Sequence, residues 1–303
     1  MHQSSLPAGK PLQAVPPPVA TKPTVAFTTP SNYATRLSRL LSLYSFTPLW
    51  CPTIATEATP ETIASFGHHL SADSISLFSA IAFPSRTAIE AASAAFLSLA
   101  TPLLPPDAAD SLVLAALGKD AELLDSEFLL KFCSNVDRVR VLVPTIPTPS
   151  GLVQSLGLGR GRRVLCPVPR VIGVQEPPVV PDFLLELESA DWNPVRVDAY
   201  ETRWLGPTCA AEIVEVDELD AVIFTSTAEV EGLLKSLREL ECDWTTVRCR
   251  RPELVVAAHG PVTAAGAKRL GVDVDVVSGK FESFEGVVKA LHSRFRGLSS
   301  RCL

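Results

Sequence analysis

Hydroxyl-bearing and glycine-containing turns recur at fixed places along this chain, each directly after a short apolar run and directly before a helical pattern. Thr29 and Ser31 follow Thr24-Val-Ala-Phe27. Ser85 and Arg86 follow Ala80-Ile-Ala-Phe83, and Gly118 and Lys119 follow Leu112-Val-Leu-Ala115. Thr225, Ser226 and Thr227 follow Ala221-Val-Ile-Phe224, and Gly260 and Thr263 follow Leu254-Val-Val-Ala257. A turn that opens a helix carries free backbone N–H groups and the positive end of the helix dipole, so it binds anions. Each anion held this way gains about 0.3–1 kcal/mol at an exposed site, so several such turns together hold a polyanion without a basic patch. Ser and Thr at helix starts also cap them, and the same hydroxyl can do both.

The elements behind these turns alternate strand and helix throughout. Leu37, Leu40, Leu41 and Tyr44 share one face of a helix expected over Tyr33 to Tyr44, and Pro48-Leu-Trp-Cys51 follows as the next strand, a β-α-β unit with parallel strands. Further strands are expected at Arg140–Val143, at Arg163–Cys166 before a long Pro-rich loop and a helix Asp182–Glu188, and at Val272–Val277 before a last helix Phe284–Leu291. Near-continuous apolar strands of this kind belong to α/β folds whose parallel sheets are covered on both faces. Two motif pairs also repeat at nearly one offset: AIAFPSRTAIEA with AVIFTSTAEVEG, aligning Ser85 with Ser226, and LVLAALGKDAELL with LVVAAHGPVTAAG, aligning Gly118 with Gly260. Duplicated halves are the expectation.

Composition narrows the function. The 303 residues are 47% hydrophobic and 20% charged, enough to bury two cores. No apolar run reaches the roughly 18 residues of a membrane span. A net charge of −6 with no dense Lys/Arg cluster argues against nucleic acid as a partner. The seven cysteines form no C-x-x-C pair, which fits buried thiols and no metal. GLGRGRR at Gly157–Arg163 precedes a strand instead of following one, the wrong context for cradling phosphate. No G-x-G-x-x-G follows the first strand, which weighs against a dinucleotide-binding protein. Residues 1–23, Pro-rich and free of acid, read as a flexible arm.

AVIFTST, VVAAHGPVTAAGAKRLGVDVDVVSGKFESFEGVVKAL, AIAFPSRTAIEA and VRVDAYETRW, taken in order, resemble the uroporphyrinogen-III synthase family from about Thr24 to Leu291. The resemblance implies two doubly wound, flavodoxin-like parallel-sheet lobes joined by a two-stranded connector, with a cleft between them. Lobe one would comprise residues 24–50 plus 206–303, lobe two residues 61–194, and the connectors 51–60 and 195–205. It further implies a cofactor-free hydro-lyase that closes the linear tetrapyrrole hydroxymethylbilane with loss of water and inversion of the last pyrrole ring. Each pyrrole of that substrate carries an acetate and a propionate. Tyr200 falls at the family's functionally important tyrosine and is the expected proton donor to the departing hydroxyl. The strand-end residues above would hold the carboxylates. By the same resemblance the chain is expected to be a monomer serving haem or chlorophyll synthesis, in the chloroplast or alternatively the cytoplasm. Two departures stand out: Glu229, expected to repel an anionic ligand, and the Pro-rich loop carrying Glu176. They leave as the alternative a non-catalytic tetrapyrrole- or polyanion-binding paralogue on the same fold.

Overall fold

The computed structural model describes residues 22–97, 101–106, 111–281 and 283–299. The arm expected over residues 1–23 lies outside them except for Lys22 and Pro23. From the amino end the elements are β1 (Thr24–Phe27), α1 (Ser31–Leu43), β2 (Thr47–Trp50), β3 (Ile54–Glu57), α2 (Pro60–Gly67) and α3 (Ala72–Ile75). Next come β4 (Ala80–Phe83), α4 (Arg86–Phe96), β5 (Leu112–Ala116), a 3-10 turn Gly118–Leu123, α5 (Ser126–Phe132), β6 (Val139–Leu142) and α6 (Pro149–Leu156). The chain continues through β7 (Arg163–Ile172), α7 (Val179–Ser189), β8 (Asn193–Trp204), α8 (Ala211–Glu215), β9 (Ala221–Phe224) and α9 (Thr227–Glu239). It ends with α10 (Trp244–Arg250), β10 (Val255–Ala258), α11 (Pro261–Arg269), β11 (Val276–Val277) and α12 (Phe284–Ser299).

Two sheets result. The first has the order β11-β10-β9-β1-β2 and is parallel throughout. The second has the order β3-β8-β7-β4-β5-β6, parallel except for the antiparallel pair β3–β8. In each, chain progress reverses direction between two neighbouring strands, β1 and β9 in the first sheet and β4 and β7 in the second. Ligands of open α/β sheets bind beyond the strand ends at such reversals.

Alternation along the strands explains why helices cover both faces. Val25, Phe27, Ala221, Ile223, Val255 and Ala257 pack with α1 and α12, whereas Ala26, Val222, Phe224 and Val256 pack with α8 to α11. In the second sheet Ile81, Phe83, Leu112 and Leu114 pack with α2 to α5, and Ala80, Ala82, Val113 and Val164 with α6 and α7. Phe83 and Phe224, wholly buried at equivalent strand ends, each contribute about 1.5–3 kcal/mol by leaving water.

Three elements differ from expectation. The strand expected to stop at Cys166 runs on to Ile172 and takes in Pro167 and Pro169. Beyond Leu165 its β4 side is unpaired, so a missing N–H there costs no ladder bond, and the register to β8 shifts between Val168 and Pro169. Residues 195–204, expected within a connector, are part of β8, which pairs with β7 from Asn193 to Arg203 and with β3 over Glu201–Trp204. The crossing pair β3–β8 is therefore continuous with the second sheet. The strand expected over Val272–Val277 shortens to Val276–Val277, because the Asp275 carboxylate takes the Val256 N–H at 2.8 Å and ends the ladder there.

Hydrogen bonds tie the two sheets' layers together. Asn32 Nδ2 of α1 donates to Thr87 Oγ1 of α4 at 3.1 Å. Lys235 Nζ of α9 donates to the Gly173 carbonyl at 2.8 Å, and the Gln175 N–H donates to Glu231 at 2.8 Å. Glu176, in the same loop, is held by Arg196 at 2.7 Å.

Candidate active site

The carboxyl ends of β1, β9 and β10 in one sheet and of β4, β5 and β6 in the other open onto a single cavity of about 400 Å³. That is within the ordinary range of small-molecule sites. Of the twelve residues named from sequence, nine line it: Tyr200, Ser85, Gly118, Lys119, Thr225, Ser226, Thr227, Gly260 and Thr263. The other three lie off it. Thr29 is wholly buried, its carbonyl accepting from Trp50 Nε1 at 2.8 Å. Ser31 is exposed at the start of α1. Arg86 lies along α4, its Nε bonded to Glu90 at 2.8 Å.

Tyr200 comes from the middle of β8 and is only 5% exposed. Its hydroxyl meets Ser85 Oγ at 2.8 Å, either atom donating. Ser85 is also the N-cap of α4 and accepts from the Ala88 N–H at 3.2 Å, so its rotamer is fixed by the helix it starts. Burial pushes the Tyr200 phenol up to about 12, with the Ser85 hydrogen bond pulling the other way. Tyr200 thus keeps its proton at neutral pH and is a hydrogen-bond donor aligned by Ser85.

In the first lobe the corresponding turn is closed. Ser226 caps α9 just as Ser85 caps α4, accepting from the Glu229 N–H at 3.3 Å. The Glu229 carboxyl, 1% exposed, then turns back onto the cap. It accepts from Thr28 Oγ1 at 2.8 Å, the Thr225 N–H at 2.9 Å, Thr225 Oγ1 and Ser226 Oγ. Burial raises its pKa, against the pull of those donors, above all the Thr225 N–H. The expectation that Glu229 repels an anion is corrected here: its charge is disfavoured and its oxygens are enclosed by donors. Thr263 Oγ1 donates to the Thr225 carbonyl at 3.0 Å, which ties α11 to the end of β9. Gly266 lets α9 and α11 close up, since a Cβ there would fall 2.0 Å from Thr227 Oγ1.

Several lining residues escaped the sequence reading. Tyr33 sits on α1, its ring edge-on to Phe284 at 5.5 Å, and burial raises its phenol well above the ordinary value. Arg36 lies one helical turn further along α1. Asp120 follows Gly118-Lys119, with Gly118 in the left-handed region at φ 49°. Burial lifts the Asp120 carboxyl to about 6, against the pull of Arg86 and Arg36. The strand-end rule that nominated Gly118 and Lys119 covers Asp120 as well; an acid in an anion-binding turn is what hid it. For Tyr33 the apolar helix pattern masked its place one turn beyond β1.

Among the described residues no group of three His, Cys, Asp or Glu is placed to hold a metal ion. No described helix is long and apolar enough to cross a membrane.

The comparisons with known proteins fit this arrangement. The family model described as "Uroporphyrinogen-III synthase HemD" matches residues 35–288. A solved structure of a mutant uroporphyrinogen III synthase from Thermus thermophilus is similar over 92% of this chain and 99% of its own, at 18% identity and a TM-score of 0.56. Uroporphyrinogen-III synthetase from Helicobacter pylori matches over 90% of this chain and 99% of its own, at 15% identity and a TM-score of 0.47. No curated protein sequence gives a significant match. The Thermus likeness is one of fold, and the family match spans most of the chain: this protein belongs to the uroporphyrinogen-III synthase family.

Proposed function

We propose that the cleft cyclises hydroxymethylbilane to uroporphyrinogen III, with loss of water and inversion of the last pyrrole ring. Family membership supports this reading, and the Tyr200–Ser85 pair at the base of a two-lobed cavity is the observation that carries it. Departure of the terminal hydroxyl leaves an electrophilic azafulvene, because the pyrrole nitrogen's own electrons expel it. The substituted carbon of the last pyrrole attacks, the bond from that carbon to its original methylene bridge then breaks, and the freed bridge carbon bonds to the ring's hydrogen-bearing α-carbon, which inverts the ring. The protein's main task is then orientation, holding a flexible chain so that this carbon is the one that attacks. Tyr200, kept protonated by burial, donates a hydrogen bond to the departing hydroxyl directly or through one water. The substrate's carboxylates face the helix starts at Ser85, Gly118, Ser226 and Gly260, whose N–H groups and dipoles favour negative charge. Glu229 does not oppose them, since its carboxyl is buried among its own donors.

The test is isomer analysis after incubation with freshly prepared hydroxymethylbilane. Spontaneous closure gives the unrotated ring arrangement, so formation of the rotated isomer supports the reading. A product mixture indistinguishable from the protein-free control sinks it.

A further inference from the structure

Two carboxyls line the cavity, and the reaction as drawn employs neither: Glu229 is enclosed by Thr28, Thr225 and Ser226, which leaves Asp120. It stands in the 3-10 turn beyond β5, where the two lobes approach. Its charge is felt by Tyr33 of α1 in the first lobe, and it feels the charges of Arg36 on α1 and of Arg86 and Glu90 on α4 of the second. The Arg86 backbone N–H donates to the carboxyl, while the Arg86 side chain is bonded to Glu90. Lys119 and Glu122 are its neighbours in the turn. Tyr33 is close enough to both Asp120 and Tyr200 that a negative charge on either opposes its own ionisation, so the three groups form one electrostatic cluster.

The two candidate proton carriers differ in kind. Tyr200, pushed up to about 12, holds its proton throughout the neutral range and fits the part of a fixed dipole. A group that gives a proton and recovers it within one turnover works best when both of its forms are accessible near the operating pH. The Asp120 carboxyl, lifted by burial to about 6, meets that requirement among the residues of this cluster.

We propose that Asp120 is the exchangeable proton store of the cleft, giving up the proton with which the terminal hydroxyl leaves and taking one back as the rearranged ring recovers its aromaticity. In the first step the C–O bond breaks, its electron pair stays with oxygen, and the oxygen leaves as water with the Asp120 proton. The pyrrole nitrogen's lone pair meets the deficit on the methylene carbon. In the last step the final carbon–carbon bond has formed at the ring carbon that still bears hydrogen. That C–H proton passes to the Asp120 carboxylate, and its electron pair restores the pyrrole. One proton leaves and one returns, so no outside acid, base or oxidant enters the balance. The inference rests on the cyclase reading.

The test is the pH dependence of rotated-isomer formation from hydroxymethylbilane by the full chain. The wild type is expected to show a limb at about pH 6 in kcat/KM. Asp120→Asn is expected to lower kcat roughly 100-fold or more and to abolish the limb, with KM nearly unchanged. Asp120→Glu is expected to restore the limb, displaced in pH. A folded Asn variant with wild-type kcat and an unchanged limb overturns the proposal and leaves the cyclase reading intact. Failure of the wild type to make the rotated isomer ends both. Should the Asn variant not fold, the carboxyl is titrated in the wild type by carbon-13 NMR. A midpoint in the ordinary aspartate range, about 4, overturns the proposal.

Discussion

The two strand-to-helix turns at Ser85 and Ser226 begin alike and end in different chemistry. Both follow a four-residue strand buried at every position, and both place a serine in extended backbone, at φ −156° and −145°. Both serines accept from the N–H three residues on, at 3.2 and 3.3 Å. The divergence lies at that third residue, Ala88 in one lobe and Glu229 in the other. With alanine, the Ser85 hydroxyl is left to meet Tyr200 of β8 in the same sheet. With glutamate, a carboxyl folds back as in a capping box, reaching one residue beyond the cap, and absorbs the hydroxyls of Thr28, Thr225 and Ser226. A second pair diverges in the same sense. The repeat sets Gly118-Lys119-Asp120 against Gly260-Pro261-Val262, so the titratable acid appears only in the second lobe. The lesson is a division of labour: the first lobe's turn hydroxyls are taken up by a buried carboxyl, and the second lobe's turns leave a serine to Tyr200 and an acid to the cavity.

The sharpest way to break that comparison is through activity. Tyr200→Phe is expected to lower the rate of rotated-isomer formation about 100- to 1000-fold, the span for losing one preorganised hydrogen-bond donor. Ser85→Ala, which removes the aligning partner of Tyr200 together with the cap of α4, is expected to cost about 10-fold, and Ser226→Ala, which removes a cap alone, less than about 3-fold. Equal losses in the two serine variants, measured as initial rates, contradict the division.

Stability offers the converse test. Glu229→Ala strands the buried Thr28 and Thr225 hydroxyls and opens a cavity, and is expected to cost about 3 kcal/mol in urea unfolding. Glu229→Gln, which keeps the shape, is expected to cost less. The sign of the pH effect follows from the raised pKa. The folded state binds the Glu229 proton more tightly than the unfolded chain, so this group's contribution declines as pH rises above the ordinary glutamate range. The Gln variant should therefore show a shallower decline.

Asp120 obeys the same sign with a defined window. Its folded value of about 6 lies above the ordinary 3.8, so stability is lost as pH rises between those values. Asp120→Asn is accordingly expected to stabilise the protein at neutral pH by about 1–2 kcal/mol, after discounting for its partial exposure, and to give no gain near pH 3. A variant no more stable than wild type at neutral pH shows that burial does not strain this acid.

The smallest effects belong to the caps themselves. Ser85→Ala and Ser226→Ala should each cost about 1 kcal/mol of stability, since each removes one acceptor from a helix start. A large inequality between the two indicates that the shared backbone geometry conceals different cap energies.

Much of this was legible in order of appearance. Apolar runs bounded by Ser, Thr and Gly marked β1, β4, β5, β9 and β10, because a strand buried on both faces has no polar positions to confuse it. The turns after them named most of the residues that line the cavity. The Pro-containing second half of β7 was not legible. Proline argues against a strand unless one side of it is unpaired, and pairing is a property of the neighbour. The direction of Glu229 was hidden for a related reason: its donors Thr28 and Thr225 come from strands nearly two hundred residues apart that meet only in the sheet.

What the sequence determined alone is thus the local programme: two parallel sheets, the helices that cover them, and helix starts that favour negative charge. Those follow from periodicity and from the chemistry of a few residues next to one another. The tertiary structure decided which hydroxyl met a tyrosine and which met a carboxylate, and which acid was buried deeply enough to hold a proton near neutrality. Desolvation and hydrogen bonding between strand ends of one sheet depend on distances between elements remote in the chain, and local sequence does not encode those distances.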